Sequence, residues 1–344
     1  MQSNKPKFLI IGSGWYGCHA ASFLMEKGFN VSIVDKSNDI FVGSSLKNQN
    51  RLHLGFHYPR SEETRKESET GCVKFLKKYP KFVCDIKNNI YCVSKESILD
   101  YGTYCKIMKD KSKYFSNIED LKNIKGSFGL NYELIDGAMN TQEKLINPKK
   151  VKKHFTQLLS KKMIIIDSTY HLEKLKKEYD YVLDCTFGQM ENFGNFKYEL
   201  SICLVYSSKI KNFAITIMDG PFFSLFPMDI KQNLMTLTHV SHTPVCVSSD
   251  IKHINKVKNN FQQKSLSKII RNMENEVLPY IPHFDKICEY KDFYLSVKTK
   301  SNQKNDNRSL FWRKDNKTIN FAGGKITGIF AMEEIIKSQI IDKL

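Results

Sequence analysis

The sequence contains nine cysteines but no Cys-x-x-Cys pair. Their scatter over positions 18, 72, 84, 92, 105, 185, 203, 246 and 288 argues against a zinc site and against a dithiol redox motif. It reads as a set of reduced thiols that fill space as small hydrophobes. Long apolar runs are missing too. Runs such as 8–11 and 163–166 have the size of buried strands, far short of the roughly 18 to 20 residues that cross a bilayer. No signal-peptide core precedes the first apolar run, so the expected location is cytoplasmic. Arginine is scarce as well: only six of 53 basic residues are arginine, although the formal net charge is +17. Bidentate phosphate and base contacts favour arginine, so this surplus of lysine reads first as a solvated surface and second as suited to an anionic substrate. Nucleic-acid binding is the third reading, and no recognisable motif supports it. Internal repeats and low-complexity segments are absent.

What is present begins with an ordinary globular composition, 41% hydrophobic and 26% charged over 344 residues, enough for two associated cores. Residues 7–11 are apolar and β-rich. Gly12-Ser13-Gly14-Trp15-Tyr16-Gly17 follows, then helical spacing over 18–27, Gly28, and a second strand at 31–34 that stops at Asp35. This is G-x-G-x-x-G in its full context, between a strand and a helix, with an acidic residue about 20 positions on. In such a turn Gly12 permits the tight bend, Gly14 lets the backbone approach a pyrophosphate at the helix N-terminus, and Gly17 allows close helix-to-strand packing. Asp35 would bind the ribose hydroxyls, which disfavours NADP as the ligand. The motif alone leaves NAD and FAD open.

Further along, the pattern predicts a helix over 61–79 capped at Ser61 or Thr64 and ended by Pro80. Short strands follow at 90–93 and 132–134. A helix opens at Asn147-Pro148 and runs to about residue 159. Uninterrupted apolar runs at 163–167 and 181–184 suit parallel strands covered on both faces. Repeated strand patterning at 200–206, 213–218, 222–227 and 234–240 predicts an antiparallel sheet. A helix-rich stretch is expected at 251–278, strands near 292–298 and 310–313, and a loop at 301–308.

Four segments in order resemble the D-amino acid oxidase-like family of FAD-dependent oxidoreductases. They are the N-terminal fingerprint; the loop from Ser44-Ser45 to Gly55; the stretch 180–188, which ends in Cys185-Thr186-Phe187-Gly188; and the run 318–324, which ends in Gly323-Gly324 and leads into a last helix. The resemblance implies an α/β fold. A Rossmann-like FAD-binding domain (1–80, 145–192 and 318–344) would be interleaved with an α+β substrate or cap domain built on an antiparallel sheet (81–144 and 193–317). It also implies FAD as cofactor, contacted by Gly12, Gly14, Trp15, Tyr16, Gly17, Asp35, Lys36, Ser44, Ser45, Asn50, Arg51, Thr186, Gly323, Gly324, Lys325, Ile326 and Thr327. In that family the C-terminal return faces the pyrimidine side of the isoalloxazine, where N–H groups and a helix N-terminus stabilise developing negative charge. The chain departs from the family pattern at Asn50-Arg51-Leu52-His53 and at Lys325-Ile326-Thr327-Gly328.

Oxidation of a C–N or C–O bond by hydride transfer to flavin requires little more than a positioned donor carbon, a base and exclusion of water. His53 or His57 suits the base, because imidazole titrates near neutrality. Arg51 or Arg60 suits a substrate carboxylate or phosphate, and Tyr58 joins Arg60 as a substrate contact. Lys298 is grouped with the catalytic candidates and, with Lys325, suits a cation near the flavin. Residues 222, 223, 226 and 236–239 are aromatic enough to line a pocket. His53 and His57 lack a nearby third ligand in the sequence, so no metal is expected. The expected partner is a small-molecule substrate (amino acid, amine or sugar-like), with the electron acceptor left open. Alternatives are a non-redox flavoenzyme of the mutase or lyase type and a basic flavoprotein acting on nucleic acid.

Overall fold

The computed structural model describes residues 5–120, 129–165, 168–302 and 309–344. Strand β1 (Lys7–Ile11), helix α1 (Trp15–Glu26) and strand β2 (Asn30–Asp35) form the predicted βαβ unit, and β1 pairs parallel to β2. The helix begins inside the glycine motif, so Gly17 lies within it. A Cβ at Gly17 would stand 1.8 Å from the Gly12 carbonyl oxygen, which is why the position takes no side chain. Gly12 itself has φ +96°, a left-handed conformation natural to glycine.

Six strands form the first sheet, in the order Leu310–Asp315, Thr318–Gly323, Tyr181–Asp184, β1, β2, Met163–Ile165. All neighbouring pairs are parallel except Leu310–Asp315 with Thr318–Gly323. Residues 310–315, grouped by the sequence reading with the second unit, therefore belong by pairing to the first. The strand expected over 163–167 is seen as Met163–Ile165, and 166–167 lie outside the described residues, as do 303–308 of the expected loop.

The second sheet has nine strands. Its order is Pro244–Ser248, Phe196–Ser208, Leu234–His239, Phe223–Asp229, Phe213–Met218, Asn88–Ser94, Ile135–Thr141, Phe115–Asn117, with Cys288–Ser301 pairing Phe196–Ser208 off this path. It is antiparallel as expected except at one seam, where Phe213–Met218 runs parallel to Asn88–Ser94. A three-stranded sheet of Arg51–Leu52, Lys144–Ile146 and Val83–Cys84 links the two layers. Residues 132–134, read as a strand, instead form a 3-10 turn, because the Asn131 side chain accepts from the Glu133 N–H and closes an Asx turn before the next strand.

The helix Glu62–Lys78 has Ser61 at its N-cap, accepting from the Thr64 N–H, and Asn147 caps Pro148–Leu159 in the same way. The Trp15 ring is buried among Phe41, Phe75, Tyr79 and Phe155, packing α1 onto its neighbours. None of the cysteines is paired, and six of the nine are buried. Among the described residues no helix is long and apolar enough to cross a membrane.

Candidate active site

A single cleft of about 1060 Å³ runs between the two large sheets. Every residue expected from the sequence to bind cofactor, bind substrate or act in catalysis lines it, except Gly17, whose role is packing inside α1. The cleft has two ends of different construction.

At one end, backbone does the work. The N-terminus of α1 carries no side-chain cap, and the Trp15 N–H donates to Ser45 Oγ at 3.0 Å. Asp35 accepts from both the N–H and the hydroxyl of Ser13, at 2.7 and 2.6 Å, so the acidic residue also braces the glycine turn. Thr186 turns back onto Asp184, whose carboxyl is raised by burial. The Trp15 ring packs against Phe41, Phe75 and Phe155. The Tyr16 hydroxyl donates to the Lys325 carbonyl at 2.8 Å and fills the space left by Gly324 and Gly328. Gly323 and Gly324 have φ +68° and +83°, so the chain bends sharply as it leaves its last strand. Lys36, Lys47 and Lys258 line this part of the cleft from three separate segments, and burial together with Lys47 and Lys36 lowers the Lys258 pKa.

At the other end, buried side chains form a polar network. Arg51, one of the residues that line the cleft, is 3% exposed. Nη1 donates to the Tyr91 hydroxyl at 2.6 Å and Thr216 Oγ1 at 3.1 Å, Nη2 donates to Ser224 Oγ at 2.8 Å, and the guanidinium lies 4.0 Å over Phe226. Its fork is occupied by internal partners, so it acts as a buried pillar of the chamber. Arg60 is paired with the buried Asp219 at 2.5 Å. The Lys325 ammonium lies 3.5 Å over the Tyr58 ring and donates to Ser68 Oγ. Lys298 lies in the strand Cys288–Ser301, on the opposite wall.

Glu143 and Tyr91 are the members that the sequence did not disclose. The Glu143 carboxylate accepts from the Leu54 N–H at 2.7 Å and from the Tyr91 hydroxyl at 2.5 Å. Burial opposes its charge, but His53 and Arg51 beside it outweigh burial and hold the carboxyl well below the usual range. His57 Nδ1 lies 2.6 Å from the same hydroxyl, while His53 Nδ1 is 3.6 Å from Glu143. Burial lowers both imidazole pKa values. Arg51 adds to the effect at His57, and Glu143 partly offsets it at His53. The fold thus brings a carboxylate to the two histidines, all three within 4.8 Å. Each carboxylate oxygen accepts one of these hydrogen bonds, and the Arg51 guanidinium adjoins the pair.

Phe222, Phe223, Thr238 and His239 also line the cleft, whereas Phe226 lies beneath Arg51. His239 is buried, accepts from the Ser241 N–H at Nδ1, and has its pKa lowered to about 4 by burial and by His242.

The cleft suits an extended dinucleotide. It opens on the helix N-terminus at Gly14, and Asn50 Oδ1, a buried acceptor without a partner among the described residues, belongs to a residue that lines it. Residues 10–65 match the NAD(P)-binding Rossmann-like domain family. Over 97% of its length the chain is 29% identical to FAD-dependent monooxygenase FPY4 of Fusarium mangiferae, covering 91% of that protein. Its fold matches glycine oxidase from Geobacillus kaustophilus at a TM-score of 0.70, with 8% identity and coverage of 98% and 95% of the two chains. It also matches L-proline dehydrogenase from P. horikoshii at 0.68, with 12% identity and coverage of 98% and 94%. The chain therefore shares the fold of these two oxidoreductases over nearly its whole length.

Proposed function

We propose that the chain is an FAD-dependent oxidoreductase that oxidises a C–N or C–O bond of a small molecule. The observation that carries this reading is the continuity of one cleft from the glycine turn of α1, past Asn50, to a chamber of titratable side chains beside residues 323–327. The Gly12–Gly14 turn, Asp35, Ser45, Asn50 and the C-terminal return would hold FAD, with Lys36, Ser44 and Thr186 at its margins. When bound, FAD supplies the oxidant, taking a hydride and its electron pair from the donor carbon. The protein's own part is to orient that carbon between Tyr58, His57 and the wall of Phe222 and Phe223, to exclude water, and to accept the proton released from the substrate nitrogen or oxygen.

A second reading, monooxygenation, is favoured by the near full-length likeness to a protein named for that activity. Anaerobic mixing of the FAD-loaded protein with amino acids, amines and polyols separates the two. Bleaching of the flavin by substrate alone supports direct oxidation. Bleaching only by a reduced pyridine nucleotide, with oxygen later found in the product, supports monooxygenation. A colourless protein that takes up no added FAD overturns both.

A further inference from the structure

The proton network at the chamber end distinguishes between the two histidines. Both oxygens of the ionised Glu143 accept, so the one proton of the Tyr91 hydroxyl lies on its 2.5 Å bond to that carboxylate. The Tyr91 oxygen can therefore only accept in its other two contacts, from Arg51 Nη1 and from His57, each at 2.6 Å. It follows that His57 Nδ1 carries a proton and that, in the neutral ring, Nε2 is a bare lone pair. That nitrogen has no hydrogen-bond partner among the described residues, and His57, only half-buried, lines the cleft. No such constraint reaches His53, whose Nδ1 is 3.6 Å from Glu143 and lacks a hydrogen-bond partner.

Resting on the reading of the cleft as an oxidoreductase site, we propose that His57, through Nε2, is the group that takes the substrate's O–H or N–H proton, and that Tyr91 and Glu143 are its positioning residues. In this step the X–H bond breaks and an Nε2–H bond forms. The electron pair stays on X and becomes the second bond of C=X as the carbon gives up its hydride to the oxidised flavin. The imidazolium keeps its Nδ1–H on Tyr91, with Glu143 behind it, before it releases the proton to water. The charged and titratable groups around His57 are Arg51, His53, Tyr91, Glu143 and Lys325. Burial and the cations Arg51 and Lys325 hold the resting ring neutral, which keeps Nε2 vacant near pH 7.

The test uses the purified full-length protein with 15N-labelled histidine and long-range 1H–15N correlation, His57→Gln serving to assign the signal. The expected spectrum shows His57 as the Nδ1–H tautomer, unchanged between pH 8 and pH 6, and as Nε2–H in Tyr91→Phe. An Nε2–H tautomer in the wild type overturns the proposal, as does an unchanged pattern in Tyr91→Phe. Should that variant fail to fold, the wild-type spectrum decides together with diethyl pyrocarbonate labelling mapped by mass spectrometry. A His57 adduct is expected whose rate changes less than about twofold from pH 7.5 to 6, where an ordinary imidazole loses about fourfold. Absence of the adduct overturns the proposal. These measurements need no flavin: the expected tautomer in a protein that refuses FAD sinks the oxidoreductase reading, whereas the wrong tautomer in a flavin-loaded protein sinks this one. With a substrate that bleaches the flavin, His57→Gln slows bleaching about 100-fold at unchanged FAD content, and slowing below about tenfold overturns the assignment.

Discussion

The glycine turn and the chamber differ in the span of sequence that builds them. At the glycine turn the decisive contacts join neighbours: Ser13 and Asp35 are 22 residues apart, and Trp15 and Ser45 are 30 apart. In the chamber, Arg51 reaches Ser224 across 173 residues and Tyr91 reaches Glu143 across 52. The first end is fixed by backbone conformation, so its residues are nearly determined by what the turn tolerates. The second is fixed by mutual satisfaction of buried polar groups, so any one member makes sense only when all are in place.

The most severe break at the first end is Gly17→Val, which would place a branched side chain where even a Cβ stands 1.8 Å from a carbonyl oxygen. Loss of retained FAD and destabilisation by about 4 kcal/mol or more are expected, read as the flavin-to-protein absorbance ratio and by urea unfolding. The matching break in the chamber is Arg51→Met, which leaves the Glu143 charge buried without its cation. A loss of about 3 to 5 kcal/mol is expected, with part of it recovered in the double variant with Glu143→Gln. An Arg51→Met protein of unchanged stability would instead favour the ligand-contacting role that the sequence suggested for Arg51.

A pH measurement sharpens the contrast. His239 has a folded pKa of about 4, below the roughly 6.5 of an unfolded histidine. The unfolded chain therefore binds the proton first as pH falls, and stability declines from about pH 6.5 down to about pH 4, by about 3 kcal/mol in total. His239→Gln should flatten that part of the stability curve measured by urea unfolding. A slope that persists unchanged in the variant would assign it to other groups. The smallest effect is expected at the dinucleotide end, where Lys258→Gln should weaken binding of an anionic ligand a few-fold, less so at high salt. Isothermal titration of the flavin-free protein with FAD, at two ionic strengths, reads it directly.

These differences also explain what could be read in advance. The βαβ unit, the caps at Ser61 and Asn147, and the strands Tyr181–Asp184 and Phe213–Met218 rest on local spacing and turn chemistry, and they stand where the pattern puts them. The 3-10 turn at Tyr132–Leu134 depends on one asparagine side chain and escaped a pattern of apolar residues. The parallel seam between Asn88–Ser94 and Phe213–Met218 left no mark, because two covered strands look alike whichever way they pair. Glu143 follows Gln142 and precedes Lys144, and in that polar company it looks like surface. Only its position opposite Arg51, brought there by pairing between Arg51–Leu52 and Lys144–Ile146, turns it into a buried charge. The type of Arg51 suggests a ligand contact, and its buried partners Thr216 and Ser224 lie in segments too far along the chain for spacing to reveal them.

The hydroxyl of Tyr16 rests on the carbonyl of Lys325, 309 residues away, in a space that Gly324 and Gly328 leave open. On the ribosome this means that the first helix is made long before the segment that completes its surroundings. At about 5 to 20 residues per second the interval is roughly 15 to 60 s. A chain not yet extended to residues 324–328 would have every residue of the glycine motif and no finished surroundings for Tyr16. Loading of the cofactor is therefore expected to wait until residues 324–328 have closed over Tyr16.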